Sequence, residues 1–167
     1  MRSYAAIVFS VLVPTLFPAG SAQAAGPLYI NEFVASNATT VKDAQGDYDD
    51  WIELYNAGPD AVDCGGMYLT DDPADPQKWR IPTTDRTMTT IAAGGYLLIW
   101  ADGDAAEAGL HAGFSLNSGG DTIALFDTNG IAMIDYVGFD AQTPDISCGR
   151  LPDGGEQWIL FGAPTPG

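Results

Sequence analysis

The chain has 167 residues and carries 22 acidic against six basic side chains, a formal net charge of −16 at pH 7. Such a surface repels phosphate groups, so nucleic acids and anionic lipid headgroups are poor partner candidates. The length is sufficient for one domain with a single hydrophobic core.

The first 24 residues are organised like a secretory signal peptide. Arg2 precedes an apolar stretch over 4–17, and small residues follow up to Ala22-Gln23-Ala24. The apolar stretch is broken by Pro14 and is shorter than the ~20 residues that a bilayer-spanning helix needs. We therefore predict a leader over 1–24 that is cleaved after Ala24, and secretion to the extracellular space or the cell surface. A permanent membrane anchor is the alternative.

Short β-prone runs follow one another from residue 28 onward, separated by Gly, Pro, Asn and Asp. In chain order the predicted β segments are Leu28–Val34, Trp51–Asn56, Met67–Thr70, Lys78–Ile81, Thr87–Ile91, Tyr96–Ala101, Leu110–Leu116, Asp121–Phe126, Ile131–Phe139 and Gln157–Phe161. No long stretch shows the 3.6-residue apolar period of a helix. The series predicts an all-β domain over 25–162, folded as an antiparallel two-sheet sandwich.

Five segments carry more specific expectations. Residues 96–101 (YLLIWA) are the most apolar and predict a central strand, whereas 104–109 (DAAEAG) could form one helical turn. Asn129-Gly130 predicts a hairpin turn. The Asp- and Gly-rich segment 38–50 is the longest without periodicity, which favours a functional loop. The Pro- and Gly-rich tail 163–167 is expected to be an irregular linker.

The two cysteines, Cys64 and Cys148, predict a disulfide if the protein is exported, because two cysteines in an oxidising compartment most often pair. In the chain-entropy model a bridge closing so long a loop would stabilise the fold by about 4–5 kcal/mol. Two separate buried thiols are the alternative, since pairing requires Cα atoms within about 7 Å.

Four aspartates crowd one loop around Gly46: they are Asp43, Asp47, Asp49 and Asp50. Calcium is bound by several oxygens from a flexible loop, so these residues are a candidate calcium site and Ca²⁺ is the one candidate cofactor. The spacing is not that of an EF-hand, which needs a different ligand order and a closing Glu. The alternative is that these side chains cap backbone amides in turns.

Histidine-based catalysis is poorly supported, because His111 is the only histidine and no serine lies in a G-x-S-x-G turn. A lone histidine of this kind is expected to be a surface or capped residue. One histidine and two distant cysteines do not make a zinc ligand set either.

Carboxylate chemistry is the stronger catalytic alternative. Glu53 lies between Trp51 and Tyr55 on one face of its predicted strand, where the rings could stack on a sugar. With Glu32 as a second carboxyl about 5–9 Å away, the four residues would suit a carbohydrate-active hydrolase. They would equally form a binding surface, or the two carboxyls could be a hydrogen-bonded rim pair.

Short motifs also run through the chain in a fixed order. They are Ile30–Phe33, Ala35–Asn37, Asp50–Asn56, Gly65–Asp72, Lys78–Pro82, Ala93–Tyr96, Trp100–Asp102, Gly149–Arg150, Pro152–Gly154 and Trp158. Together they span nearly all of 28–167 and resemble the lamin tail domain of bacterial exported proteins. The resemblance implies an immunoglobulin-like antiparallel β-sandwich with an interaction or adhesion role and no catalytic residues.

These observations favour an exported, non-catalytic interaction module that acts on an extracellular protein or carbohydrate, including as an accessory domain of a larger secreted protein. After leader cleavage no membrane insertion is expected, and no nucleic acid partner. Two alternatives stay open: a carbohydrate-active hydrolase using Glu53 and Glu32, and a structural spacer with no ligand of its own.

Overall fold

The computed structural model describes residues 28–167, which form eleven strands and one short helix. The elements are β1 (Leu28–Val34), β2 (Trp51–Asn56), β3 (Val62–Asp63), β4 (Tyr68–Thr70), β5 (Trp79–Arg80), α1 (Arg86–Thr89), β6 (Thr90–Ile91), β7 (Tyr96–Trp100), β8 (Gly120–Phe126), β9 (Met133–Asp140), β10 (Ser147–Arg150) and β11 (Trp158–Phe161). The predicted leader over 1–24 lies outside the described residues. Within 28–167 no helix has the length and apolarity to cross a membrane.

The strands form two main antiparallel sheets. One has five strands in the order β11-β10-β1-β2-β7, and the other has four in the order β5-β4-β8-β9. Strands β3 and β6 pair separately as a short ribbon. Strand β1 packs against β8 and β9 of the opposite sheet, which makes the domain a sandwich. The predicted all-β, immunoglobulin-like antiparallel architecture is confirmed.

The core lies between the two sheets and follows the alternation of the strands. In β2, Ile52 and Leu54 point inward and are fully buried, as their period of two predicts. Burying each such side chain stabilises the fold by about 1.5–3 kcal/mol. From the opposite sheet Ile123 and Leu125 of β8 enter the same cluster.

Strand β1 is buried on both faces. Ile30 and Phe33 belong to the core, yet Asn31 and Glu32 are also almost inaccessible. The pairing of β1 with β2 shifts between Ile30 and Glu32, and this bulge places Glu32 directly opposite Glu53. The outer face of the five-stranded sheet is therefore covered at this point, and the cover forms the site described below.

The predicted hairpin turn joins β8 to β9. The Asp127 N–H donates to the Ala132 carbonyl at 2.9 Å, and the Gly130 N–H to the Asp127 carbonyl at 2.9 Å. Gly130 has φ +67°, a conformation that favours glycine and explains the Asn-Gly sequence.

The central-strand prediction for 96–101 is wrong, because β7 lies at the edge of its sheet. Its free edge is partly paired with the segment after it. The Trp100 N–H donates to the Leu110 carbonyl at 2.8 Å, and the Ala112 N–H donates to the Trp100 carbonyl at 2.8 Å. The predicted strand 110–116 is accordingly reduced to isolated bridges, Trp100 with His111 and Asp102 with Ser115.

Helical structure occurs at a different place from the one expected. The predicted strand 87–91 begins as helix α1, because the Asp85 carboxylate caps it and accepts from the Thr87 N–H at 2.9 Å. The segment 104–109 forms a turn, in which the Glu107 N–H donates to the Asp104 carbonyl at 3.1 Å, and no helix.

Cys64 and Cys148 are both free thiols, so the predicted disulfide is wrong and the alternative of two separate thiols holds. Cys64 is fully buried in the turn after β3, whereas Cys148 lies in β10 opposite Phe33 and Leu160. Burial, followed by the nearby carboxylate charge of Asp63 or Glu32, raises the pKa of each thiol to about 12.

Candidate functional site

Two glutamates sit opposite each other on the outer face of the five-stranded sheet. Glu32 of β1 and Glu53 of β2 are register partners and are 3% and 1% exposed. Burial of two neighbouring carboxyls is costly unless each is hydrogen-bonded, because water no longer solvates the charge. We call Glu32 and Glu53 the carboxylate pair.

The tail of the chain covers the carboxylate pair. The Thr165 N–H and hydroxyl donate to the two carboxylate oxygens of Glu32 at 2.9 and 2.7 Å, and the Gly167 N–H donates to Glu53 Oε2 at 2.6 Å. The segment 163–167 is irregular, as expected, and it docks on the domain. Its role as a linker stays a prediction. Pro164 and Pro166 have no N–H, so the residues between and after them make these contacts.

A second cover comes from the turn between β10 and β11. The Asn31 side-chain amide donates to Glu53 Oε1 at 3.0 Å and to Asp153 Oδ1 at 3.1 Å. Its carbonyl oxygen accepts from the Gly154 N–H at 3.0 Å. The Tyr96 hydroxyl donates to Asp153 Oδ2 at 2.6 Å, which ties edge strand β7 to the same turn.

The environment of Glu53 favours its protonated form. Burial raises the pKa of Glu53 to about 7, and the charges of Glu32 and Asp153 act in the same direction. The donors from Gly167 and Asn31 oppose this by stabilising the carboxylate. Glu53 thus changes protonation near neutral pH, and its ionisation is coupled to the docked tail.

A cavity of about 250 Å³ opens beside Glu32. Its lining residues are Glu32, Arg150, Leu151, Pro152, Asp153, Phe161 and Thr165. The Arg150 guanidinium is already engaged by the Ile30 carbonyl at 2.8 Å and by both carboxylate oxygens of Asp135 at 3.0 Å. Its Nη1 also donates to the Gly155 carbonyl at 2.5 Å, so the arginine holds the turn against β1 and β9. The hydrogen-bond acceptors on the opposite side of the cavity are the carboxylates of Glu32 and Asp153.

The aromatic residues of the predicted sugar-binding surface do not form one. Trp51 is fully buried between its strand neighbours Val34 and Trp100, so its ring is not available at the surface. Tyr55 is half-buried and packs on Tyr96, with ring centroids 5.1 Å apart. An exposed Trp51–Tyr55 platform is therefore not formed, because both rings pack within the domain. Ligand binding by these residues stays a prediction.

The four loop aspartates differ in burial and in their hydrogen bonds. Asp43 Oδ1 accepts the N–H groups of Gln45, Gly46 and Asp47 at 3.0, 2.7 and 2.7 Å, which closes the turn. Asp50 Oδ1 accepts the Asn37 N–H at 3.0 Å, and burial raises the pKa of Asp50 to about 6. Asp47 is exposed and Asp49 half-buried. Calcium binding by this loop stays a prediction.

Only one of these aspartates joins a converging set of ligand atoms within the described residues. Asp43, Glu107 and His111 each offer one such atom, and the three lie within 4.8 Å of one another. His111 is 3% exposed and its Nδ1 lies 2.6 Å from Asp102 Oδ2, so of the two expectations, a surface or a capped histidine, the capped one holds. Sequence reasoning missed Glu107, since nothing in the local pattern brings its loop beside Asp43.

A two-sheet antiparallel sandwich with its functional candidates on loops and on one outer face is an immunoglobulin-like module. The family model described as Lamin Tail Domain matches residues 21–141, and the chain belongs to that family. No curated protein and no solved structure matches the chain. The matched residues include Glu32, Glu53 and the aspartate loop, but end before β10, β11 and the tail that covers the carboxylate pair.

Proposed function

We propose that this protein is an exported, non-catalytic interaction or adhesion module that binds an extended segment of an extracellular protein, alone or within a larger secreted protein. The binding surface is the carboxylate pair, with the turn between β10 and β11 on one side. The observation that carries the proposal is the docked tail, whose main-chain N–H groups donate to Glu32 and Glu53 at 2.9 and 2.6 Å.

The pattern of donors suits an extended peptide. In 163–167 every second residue is proline, so the N–H groups of Thr165 and Gly167 are spaced along an extended chain with no competing donor between them. Hydrogen bonds from N–H groups to an ionised carboxylate are stronger than those between neutral groups. A partner segment with the same spacing would replace the tail at the carboxylate pair, and the neighbouring cavity of about 250 Å³ would receive one of its side chains.

The hydrolase alternative fits the geometry less well. The pKa of Glu53, about 7, would suit a general acid. However, the residue is only 1% exposed, and both of its carboxyl oxygens already accept hydrogen bonds, one from Asn31 and one from Gly167. A glycosidase also needs the sugar beside both carboxyls, and Trp51 is not exposed to support one. These observations favour binding over catalysis.

The proposals of export and of the class of binding partner are supported by the sequence. The signal-peptide organisation of 1–24 supports secretion. The net charge of −16 disfavours nucleic acids and anionic membranes as partners and leaves neutral or basic protein segments as the better candidates.

The proposal is tested with a chain that ends at Gly162 and a synthetic peptide of residues 163–167. Calorimetry or NMR titration is expected to show saturable binding, weak because the free peptide loses the translational freedom that the tethered tail has already given up. Glu32→Gln should weaken it, because the carboxylate accepts from both the N–H and the hydroxyl of Thr165. Glu156→Gln is the matched control, since Glu156 is exposed.

The alternatives give different results in the same samples. A hydrolase should release sugar from a glycan panel and lose that activity in Glu53→Gln. A spacer domain should bind neither the tail peptide nor a library of extended peptides, and that result would contradict the proposal. Binding to glycans without binding to peptides would move the partner class to carbohydrate.

A further inference from the structure

We propose that Asp43, Glu107 and His111 form a binding site for a divalent transition-metal ion of the zinc class, which joins the loop around Gly46 to the segment 102–111. The three side chains come from two loops far apart in sequence and offer ligand atoms within 4.8 Å of one another. This site is separate from the carboxylate pair and does not depend on the peptide-binding proposal.

The Asp43 carboxylate carries the strongest indication. The residue is 8% exposed, and its Oδ1 already accepts three N–H groups of its own turn. Its Oδ2 is buried and has no hydrogen-bond partner within residues 28–167. A buried carboxylate oxygen without a partner is costly, and a cation is the partner that satisfies it most fully.

His111 has the arrangement that a metal-binding histidine needs. Its Nδ1 lies 2.6 Å from Asp102 Oδ2 and 3.7 Å from Glu107 Oε2, so in the neutral ring Nδ1–H donates to Asp102 and Nε2 keeps its lone pair. Ligation through Nε2 therefore requires Glu107 to move toward that nitrogen. A carboxylate behind the ring is the usual outer partner of a histidine ligand, because it fixes the tautomer and orientation. Gly109, with no side chain, leaves room beside Cδ2 and Nε2, where a Cβ would come within 3.1 and 3.2 Å.

The two loops are held together without a metal as well. The Gln45 side-chain amide donates to the Ala108 carbonyl at 3.0 Å, which keeps Asp43 and Glu107 on facing segments. The cluster is also crowded with like charge, because the carboxylates of Asp102 and Glu107 lie 2.6 and 3.7 Å from His111 Nδ1 and that of Asp43 lies close by. A divalent ion would relieve this repulsion.

The ligand types favour zinc-class ions over calcium. Calcium takes six to eight oxygen ligands, whereas an imidazole nitrogen with carboxylate oxygens suits zinc and its neighbours in the first transition row. Tetrahedral ligands about 2.1 Å from zinc are roughly 3.4 Å apart, so the three side chains need to move closer together than their present spacing of up to 4.8 Å. Three protein ligands leave a fourth position for water or for a group from a partner. Histidine and cysteine alone do not supply enough zinc ligands in this chain, but Asp43 and Glu107 add two carboxylates.

The site is tested on the purified full chain, produced without an affinity tag and stripped of metal. Titration with Zn²⁺, followed by calorimetry and by metal analysis after dialysis, should give one ion per chain and a melting temperature that rises with zinc concentration. Co²⁺ should bind at the same place with the visible absorption of a tetrahedral site. Ca²⁺ at the same concentrations should bind far more weakly.

Variants separate ligation from general attraction to an acidic surface. Asp43→Asn and Glu107→Gln should each weaken zinc binding at least about tenfold, and Asp102→Asn by about 10–100-fold through the histidine. Asp47→Asn, an exposed acid of the same loop, is the matched control and should stay within about threefold of the wild type. Glu107 is half-exposed, so its variant is expected to fold, which circular dichroism verifies.

Three results would overturn the proposal. The first is no zinc binding at micromolar concentration. The second is equal zinc affinity in Glu107→Gln, Asp43→Asn and Asp47→Asn. Either result would mean that His111 only forms a buried ion pair. The third is calcium binding without zinc binding, which would support the aspartate-loop prediction instead.

Discussion

Replacing Glu53 by glutamine removes a buried ionisable group while keeping the shape of the side chain. In the folded protein burial raises the pKa of Glu53 from 4.5 to about 7. Below pH 4.5 the residue is protonated in both states and its contribution to stability is fully present. As the pH rises through about 7, ionisation has to occur in a buried site and this contribution is lost.

The size of this stability loss follows from the difference between the pKa of Glu53 in the unfolded and in the folded state. Each pKa unit corresponds to 1.36 kcal/mol, so the interval from 4.5 to about 7 is worth about 3 kcal/mol of unfolding free energy. Between about pH 4 and pH 8, the unfolding free energy of the wild type should therefore fall by about 3 kcal/mol more than that of Glu53→Gln. The tail donor from Gly167 is included in this figure, because it already lowers the pKa.

The assay is urea unfolding of both proteins at a series of pH values. Asp50, whose pKa is raised to about 6, contributes to the pH dependence of both and cancels in the difference. Glu156→Gln should follow the wild type at every pH, since Glu156 is exposed. A wild type minus Glu53→Gln difference that is constant from about pH 4 to pH 8 would refute the reasoning.

Three further predictions concern packing and the thiols. Gly149→Ala should destabilise the fold by about 1–3 kcal/mol, because its Cβ would meet a β11 ring carbon at 2.9 Å. Gly162→Ala is the control and should keep the unfolding free energy of the wild type, because nothing lies within 4 Å of its Cβ. If Gly149→Ala were as stable as Gly162→Ala, the close packing at Gly149 would be contradicted. Asn56→Asp should cost about 3 kcal/mol or more in denaturant unfolding, since the buried amide donates to three carbonyls, and a stable variant would be inconsistent with this network. Cys64 and Cys148 should resist a thiol reagent in the native state and both react after unfolding without reductant; a bridged pair would leave neither reactive.

The sequence predicted correctly those elements whose structure depends on neighbouring residues. The bounds of β1 and β2 were predicted to the residue, because each run is β-prone and ends at turn-forming residues. The Asn129-Gly130 turn followed from glycine's freedom at positive φ. In contrast, 96–101 looked like a central strand from its apolarity, but its edge is covered by 110–112, a pairing that composition does not reveal.

The candidate sites depend on contacts between distant parts of the chain. Thr165 reaches Glu32 across 133 positions, and Asn31 reaches Asp153 across 122. The sequence marked Glu32 and Glu53 as a pair from strand alternation, yet could not show that the tail covers them. Likewise Asp43 was marked from its loop, whereas Glu107 and His111 become its neighbours only when the sandwich brings the two loops together.

The proposed binding face requires that the carboxylate pair holds main-chain N–H groups in solution. Amide hydrogen exchange of the intact protein measures this directly. We predict slowed exchange for Thr165 and Gly167, with Glu53→Gln accelerating Gly167 more than Thr165, because Glu53 accepts from Gly167 and Glu32 from Thr165. Exchange of both amides at the rate of an unstructured peptide in the wild-type protein would contradict docking of the tail on the carboxylate pair.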